Sequence, residues 1–373
     1  SWHLTRGDPA LIDRTVIDGG GGEYAIRVAG SVGPGTAIRG FTIRNADDGV
    51  HASGRLEFTD NRVRDSGDGI DYESGSGGWV RDCTFEDNRD DGIDLDGEVA
   101  VVIERSVIRN NGNDGLEVRL HDYTGPELAV VIRGNRISGN RGDGIQLIDG
   151  EAHSSRIFRI ERNLIANNAL AGIGMMCCMN TREDFQAASL SEPIYLFHNT
   201  FVGNDHGVTG GDNAIALNNL FAHNARVGLK GLNGGSIAAY NLFFANGQDF
   251  VDSNTDAATT FIADPLLDAD HRPSRRSPAI DAGTAFFEWD SEVVLNRAPG
   301  DYAGFAPDLG AFEAPPGWGG PSRPGCGLGA ELALLVPLLR LWRLRSRPDP
   351  PLRIHLGSGS PGATNGNTRR KSR

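Results

Sequence analysis

Hydrophobic and polar positions along this chain follow one unit that returns about nine times. The centre of each unit is a glycine followed by an aliphatic residue, and the last unit, at Phe250-Val251, lacks the glycine. Successive units lie 20 to 35 residues apart. The pairs are Gly49-Val50, Gly69-Ile70, Gly92-Ile93, Gly115-Leu116, Gly144-Ile145, Gly172-Ile173, Gly207-Val208 and Gly228-Leu229. A recurrence of this period indicates one supersecondary unit stacked on itself.

Each unit also carries a bulky apolar residue six or seven positions before the glycine, and an amide or acid three or four positions before it. The order apolar residue, turn former, glycine, aliphatic residue predicts a strand, a turn and a strand. A third short strand precedes each unit, so we predict an all-β coil of three strands per turn. We expect the polar column to hydrogen-bond along the stack and the glycines to supply the positive φ of the turns. Its members are Asn45, Asp65, Asn88, Asn111, Asn140, Asn168, Asn204, Asn224 and Asn246.

Two segments resemble the right-handed parallel β-helix of the pectin-lyase-like superfamily, in particular its bacterial periplasmic and surface members. Residues 15–21, TVIDGGG, resemble the opening coil of that family, and residues 38–45, IRGFTIRN, resemble its commonest repeat. The resemblance covers roughly residues 14–262 and implies a right-handed solenoid of about nine to ten coils. The alternative, a leucine-rich repeat, fails because no LxxLxL register is kept. The fold hosts lyases, hydrolases, epimerases and inert adhesins, so it does not name an activity.

Beyond the predicted parallel β-helix of residues 1–262, the chain changes character. Residues 263–314 resemble the closing segment of many bacterial surface β-helices, and we expect them to cover the open end of the last coil. Residues 315–327 form a Gly/Pro-rich linker, 328–347 an apolar segment closed by arginines, and 348–373 a basic tail expected to be disordered. The segment 328–347 resembles a C-terminal sorting signal with Cys326 as anchor site. A short amphipathic interfacial helix is the alternative.

The start of the chain and its charge bear on location and partners. Because the chain begins at Ser1 without an apolar leader, we expect either a removed signal peptide or a fragment. The net charge of −13 argues against nucleic acid as a partner. We therefore predict an exported, surface-associated monomer that contacts a membrane only through its C-terminal anchor.

The four cysteines are too few for a disulfide scaffold in a chain of this length. Cys83 shares a column with asparagines and is predicted to be a buried packing thiol. Cys177 and Cys178 are adjacent, and we favour a packed or disulfide-linked loop over a metal site because CxxC spacing and a nearby histidine are missing.

The residue after each aliphatic position carries the candidate chemistry. If Ile93 faces inward, Asp94 faces outward, so Asp71, Asp94 and Glu117 should lie on consecutive coils about 5 Å apart. With Asp96 they form a cluster of carboxylates that suits Ca²⁺, a possible cofactor. The acids directly before the glycines have an alternative role, because an Asp-Gly dipeptide is a common turn. These are Asp48, Asp68, Asp91, Asp114 and Asp143.

Three consecutive long units place insertions at residues 119–127, 149–155 and 175–192, which should form a wall on one side of the rod. Their side chains supply the acids and bases that the acidic columns lack. The candidate catalytic residues are Arg119, His121 and Tyr123. The candidate substrate-binding residues are Gln146, His153 and Tyr72.

Polysaccharide is the predicted partner. A uronate lyase or epimerase needs a cation for the sugar carboxylate and a base for the C5 proton. The carboxylate cluster could hold the cation, and Arg119, His121 or Tyr123 could serve as base or acid. A glycoside hydrolase is less favoured, because the acids Asp90-Asp91 and Asp205 lie five coils apart. The competing class is a non-catalytic adhesive or structural surface rod.

Overall fold

The computed structural model describes residues 8–33, 35–150 and 154–318. Within these residues the fold is all-β, with one short helix, α1 (Pro9–Ile12), and thirty strands. Predictions that fall on His153, on Cys326, on the sorting-like segment or on the basic tail lie outside the described residues.

The strands form a right-handed parallel β-helix with three files of strands along its length. The first file is a nine-stranded parallel sheet made of β2 (Ala37–Arg39), β4 (Arg55–Thr59), β7 (Gly77–Arg81), β10 (Ala100–Glu104), β13 (Tyr123–Arg133), β16 (Ser154–Glu161), β19 (Ile194–Phe197), β22 (Ala214–Leu217) and β25 (Ile237–Ala239). The second file comprises β5 (Arg62–Arg64), β8 (Thr84–Glu86), β11 (Val107–Arg109), β14 (Arg136–Ser138), β17 (Leu164–Ala166), β20 (Thr200–Val202), β23 (Leu220–Ala222), β26 (Asn241–Phe244) and β28 (Thr260–Ile262).

The third file bears the candidate site. It comprises β6 (Asp68–Tyr72), β9 (Ile93–Asp96), β12 (Leu116–Leu120), β15 (Ile145–Asp149), β18 (Ala171–Met176), β21 (His206–Thr209), β24 (Val227–Lys230) and β27 (Gln248–Val251). Two long strands, β1 (Val16–Val28) and β3 (Thr42–Ala52), bend across both the second and third files. Counted along the third file, the described residues make ten coils, in agreement with the predicted nine to ten.

The repeat register is confirmed by the strand pairing. Ile70 pairs with Ile93, Ile93 with Leu116, and Leu116 with Ile145. All four side chains are fully buried in one continuous core. Burying a full aliphatic file of this kind contributes about 1.5–3 kcal/mol per side chain, which is why the pattern survives weak sequence identity between the units.

Two ladders of buried asparagines hold the turns. In the predicted ladder, Asn111 Nδ2 donates to Asn140 Oδ1 at 3.0 Å, and Asn140 Nδ2 to Asn168 Oδ1 at 2.9 Å. A second ladder joins the first and second files, and Cys83 lies in its column as a buried free thiol, as predicted. Asn45 and Asp65 do not join the first ladder. Each instead occupies the left-handed conformation, with φ of 61° and 55°.

The repeat glycines serve a different purpose from the predicted one. None of the eight glycines of the pairs has a positive φ. Residues one position before the ladders adopt it instead, among them Asp87, Asn110 and Asn167. A Cβ on Gly92 would lie 2.6 Å from the Gly115 carbonyl oxygen, 2.7 Å from Ile108 Cγ2 and 2.8 Å from Asn111 Nδ2. The glycine is therefore required because neighbouring coils approach closely.

The segment after the last coil packs along the sides of the coils. Ala279 and Leu309 pack against Leu220 and its neighbours on the second file, and the hairpin β29 (Phe286–Trp289) and β30 (Glu292–Asn296) lies against the first file. Ile262, at the open end, stays 61% exposed. Residues 263–314 were expected to cover this end. The structure places them along the flank of the last coils, where apolar outward residues offer a larger surface.

Two smaller observations complete the fold. Cys177 and Cys178 are joined by a disulfide, as the loop interpretation predicted. Among the residues that the structure describes, no helix has the length and apolar character needed to cross a membrane.

Candidate functional site

The outward column of the third file carries a continuous row of polar side chains. Strand pairing sets His51 beside Asp71, Asp71 beside Asp94, Asp94 beside Glu117, and Glu117 beside Gln146. Asp71, Asp94 and Glu117 therefore lie on consecutive coils, as alternation along the strands predicts. We call this row, with Asp96 and Arg119, the acidic groove.

A second column of carboxylates lines the same groove and ties the coils together. Asp68 Oδ1 accepts a hydrogen bond from the Asp91 backbone N–H at 2.9 Å, and Asp91 Oδ1 accepts one from Asp114 N–H at 2.7 Å. Asp143 Oδ1 in turn accepts from Ala171 N–H at 2.6 Å. These acids have a structural role, in line with the alternative interpretation of the sequence, but they bond to the next coil and not to their own turn.

Burial and mutual repulsion make the groove carboxylates hard to ionise. Asp94 is only 6% exposed and Glu117 only 1%. Burial, opposed by Arg119 and reinforced by neighbouring acids, raises the pKa of Asp94 to about 8 and that of Glu117 to about 7. Burial likewise raises the pKa of Asp68 and of Asp71 to about 6. The groove therefore favours a proton or another positive charge.

Arg119 is the guanidinium at the centre of this row. Its Nη1 lies 3.1 Å from Asp94 Oδ2 and 3.0 Å from Asp96 Oδ1, and its Nη2 contacts Glu117. These carboxylates raise the pKa of Arg119, so its side chain stays charged. The chemistry that this arrangement gives Arg119, one of the predicted catalytic residues, is that of a fixed positive charge and not that of a base.

Some groove oxygens have no hydrogen-bond partner within the described part of the chain. They are Asp71 Oδ1, Asp94 Oδ1 and Gln146 Oε1. A buried acceptor without a partner costs about 1–3 kcal/mol unless something else satisfies it. Ligand atoms of Asp71, Asp94 and Asp96 lie within 4.8 Å of one another, and so do those of Asp91, Asp94 and Glu117. Oxygen donors in this arrangement fit a hard divalent cation.

His51 is a groove residue that sequence analysis did not select. Its Nδ1 lies 3.0 Å from Asp71 Oδ2 and 3.4 Å from Asp48 Oδ2, and its ring stacks on Tyr24 with centroids 4.4 Å apart. The available signal was its position, since it occupies the same column as Asp71. An imidazole held by carboxylates is suited to accept or donate a proton.

The other predicted site residues lie in different environments. Tyr72 as a substrate-binding residue is wrong, because it follows outward-facing Asp71 and so lies fully buried in the core. His121 is exposed beside Gly97, at the margin of the groove. The Tyr123 hydroxyl donates to the Pro126 carbonyl at 2.8 Å, and the guanidinium of Arg156 lies over its ring. Gln146 lies in the groove as predicted.

The raised carboxyl pKa values predict that stability falls with pH when divalent cations are absent. A carboxyl whose pKa is raised on folding stabilises the protein below its unfolded value, and this contribution is lost as pH rises through the folded value. Buried His198, with its pKa lowered to about 3, opposes this trend only below the ordinary histidine value of 6.5. We therefore expect the free energy of unfolding, measured by urea titration in a chelator, to decrease between pH 6.5 and 8.

The variant Asp94→Asn should flatten this decrease, because it removes the group with the pKa of about 8. Asp212→Asn, at a carboxyl remote from the groove, serves as control. A wild-type stability that is constant or rises over this interval would contradict the burial of ionisable carboxyls proposed for the groove.

A comparison with protein families supports the architecture of the N-terminal coils. A family model described as a right handed beta helix region matches residues 5–155. The crystal structure of pectate lyase Pel9A is similar to this chain at 16% sequence identity, over 78% of this chain and 86% of that one, with a TM-score of 0.32. No curated protein sequence matches the chain. The chain is thus a right-handed parallel β-helix protein, with a family match over its N-terminal coils.

Proposed function

We propose that this protein binds an acidic, uronate-containing polysaccharide along the acidic groove through a divalent cation, and that it processes the chain as a lyase or epimerase. The observation that supports this is the cluster of buried carboxylates with unsatisfied oxygens on the face of a rigid rod. An anionic polymer does not bind an anionic groove directly, so a bridging cation is the simplest way to join them. The setting proposed for this activity is the surface of an exporting bacterial cell, with the protein as a monomer.

Calcium is the proposed ion, with Asp71, Asp94, Asp96 and Glu117 as its protein ligands. Ca²⁺ takes six to eight oxygen ligands in flexible geometry, which a row of carboxylates and sugar oxygens supplies. When bound, it neutralises the sugar carboxylate and makes the C5 proton more acidic. Arg119 shares Asp94 and Glu117, and its guanidinium is the group in the groove that pairs with a second sugar carboxylate.

His121 is the proposed base for the C5 proton. It is exposed at the groove margin, next to Gly97 and two residues beyond Arg119. An imidazole nitrogen in an exposed position is within reach of a bound sugar, as a general base requires. Tyr123, whose hydroxyl is engaged by its own loop, is the weaker candidate.

Incubation with pectate, alginate and glycosaminoglycans, with and without calcium, tests this function. A lyase yields an unsaturated uronate with ultraviolet absorbance, and an epimerase changes the uronate composition measured by NMR. We expect Glu117→Ala combined with His121→Ala to abolish turnover while the thermal unfolding transition remains cooperative. Glu127→Ala, on the same insertion but exposed, is the matched control. Turnover that is unchanged in the double variant would remove this site from consideration.

A non-catalytic adhesive rod is the second candidate. The engagement of Arg119 by three carboxylates and of Tyr123 by Pro126 favours it, because both side chains are committed to structural contacts. Retention on a calcium-loaded glycan column without any product would support binding alone.

A further inference from the structure

The third insertion folds back over the far half of the third file. Ala188 N–H donates to the Met175 carbonyl at 3.0 Å, and Gly211 N–H donates to the Ala188 carbonyl at 2.8 Å. Phe185 stacks on His206 with ring centroids 4.2 Å apart, and Lys230 Nζ donates to the Phe185 carbonyl at 2.8 Å. Residues 177–192 therefore cover the part of the outward column that continues the acidic groove. We call these residues the strap.

The surface beneath the strap differs in charge from the acidic groove. Gln146 pairs with Gly174, Gly174 with Thr209, and Thr209 with Lys230, so the column runs on without a break. Thr209 is 0% exposed, and its Oγ1 has no hydrogen-bond partner among the described residues. The Thr209 hydroxyl without a partner and the Lys230 ammonium group are two hydrogen-bond donors of the kind that a carboxylate requires.

The strap itself resembles a ligand in this position. Its Phe185 carbonyl supplies the oxygen that Lys230 binds, and its Phe185 ring supplies the flat surface on His206. A sugar carboxylate and a sugar ring would satisfy the same groups. Unlike the acidic groove, this stretch needs no added cation, because Lys230 is already charged.

A pair of carboxyl groups fastens the strap to the rod. Asp143 Oδ1 accepts a hydrogen bond from Ala171 N–H at 2.6 Å, and Glu183 Oε1 accepts one from Phe185 N–H at 2.5 Å. The remaining oxygens, Asp143 Oδ2 and Glu183 Oε2, meet over Gly174, where a Cβ would leave no space. Both residues are buried. Two buried carboxyl groups in contact hold one proton between them, since both cannot be charged at this distance.

We propose that His206, Thr209 and Lys230 form a second binding subsite for the carboxylate of an acidic sugar, covered by the strap and opened when the Asp143–Glu183 pair gives up its shared proton. This subsite extends the groove of the proposed function and rests on it for the class of ligand. From Glu117 to Lys230 the two parts span four strand spacings, roughly 19 Å, so one polymer chain reaches both.

The groups around the pair determine the direction of the pH effect. Asp114 approaches from the turn before β12, and Asp184 follows Glu183 within the strap. Gln146 Nε2 donates to Asp143 Oδ2 from β15 at 3.2 Å. β18 contributes only backbone and Gly174. Burial and these acids raise the pKa of both Asp143 and Glu183. The fastening is therefore present at low pH and is lost as pH rises through the raised value.

Trypsin cleavage after Arg182, an exposed residue of the strap, tests the opening. The rate of cleavage of each protein is divided by the rate for a synthetic peptide with the same sequence over residues 177–192 at the same pH. The pH dependence of trypsin itself then cancels. We expect the ratio to rise with pH in the wild type and to stay low in Glu183→Gln, whose amide donates to Asp143 without a proton to lose. Gln186→Ala, at an exposed residue of the strap, is the control and should behave as the wild type. A wild-type ratio that does not change with pH, or an equal rise in Glu183→Gln, would overturn the proposed release.

Calorimetry with oligogalacturonate in a chelator tests the subsite, because binding that depends on calcium does not contribute to the measured heat under these conditions. Phe185→Ala should bind about tenfold or more tightly than Glu183→Gln, since the strap loses its ring contact with His206 and its backbone carbonyl is held less firmly at Lys230. Lys230→Ala in the Phe185→Ala background should abolish this gain. Equal affinities in all three variants would refute the subsite, whereas loss of calcium-dependent binding alone would refute only the proposed function.

Discussion

Replacing Asn163 with alanine should lower the free energy of unfolding by about 3–5 kcal/mol. Asn163 Oδ1 accepts from both the backbone N–H and the side-chain amide of Asn135, each at 3.0 Å. Its own Nδ2 donates to the Ile132 carbonyl at 2.8 Å and to Asn199 Oδ1 at 3.1 Å. Alanine would remove all four bonds at a fully buried position and leave the Asn135 N–H without a partner.

Urea titration measures this loss, with Asn213→Ala as the matched control. Asn213 is an exposed amide with one bond, to the Ser191 carbonyl, so its replacement should cost less than about 1 kcal/mol. Similar losses in the two variants would show that the asparagine ladder does not hold the coils together.

The second large effect concerns the acidic groove. Combining Asp94→Asn with Glu117→Gln should weaken calcium-dependent binding of oligogalacturonate about a hundredfold or more, because two of the four proposed ligands lose their charge. The same change should stabilise the protein in a chelator, because it removes two buried acids whose pKa values are raised.

Calorimetry with and without calcium measures the affinity, and the control is Asp90→Asn, an exposed acid on the same side of the rod. Asp90→Asn should retain both calcium dependence and affinity. If the double variant bound as tightly as the wild type, the cation would have to lie elsewhere.

The architecture was predictable because each coil repeats the same pattern of inward apolar and outward polar residues. An inward aliphatic residue at Ile70, Ile93 and Leu116 recurs wherever a rung must bury its surface, and alternation then places Asp71 and Asp94 outside. The same alternation places Tyr72 inside, so its assignment to the surface was an avoidable error. The glycines were predicted to supply a positive φ, but they are required by the close approach of neighbouring coils. A glycine in the sequence looks the same in both cases.

The rest of the site depends on contacts between distant segments. The insertion at 175–192 was expected to form a wall, yet Glu183 and Phe185 reach across the groove to Asp143 and His206, a pairing that no local pattern encodes. The C-terminal segment of residues 263–314 follows the flank of the rod for a similar reason, because its partners lie on several coils. His51 could have been predicted from the sequence, because it occupies the same column as Asp71.

Calcium titration of the wild-type protein by calorimetry tests the central claim most directly. We expect saturable binding at pH 8 that weakens as the pH is lowered to 6, because protons compete for Asp71, Glu117 and Asp94 over this range. We also expect no binding heat in the variant Asp94→Asn, Glu117→Gln. The absence of calcium binding at pH 8, or binding that is equal in the wild type and the variant, would contradict the account.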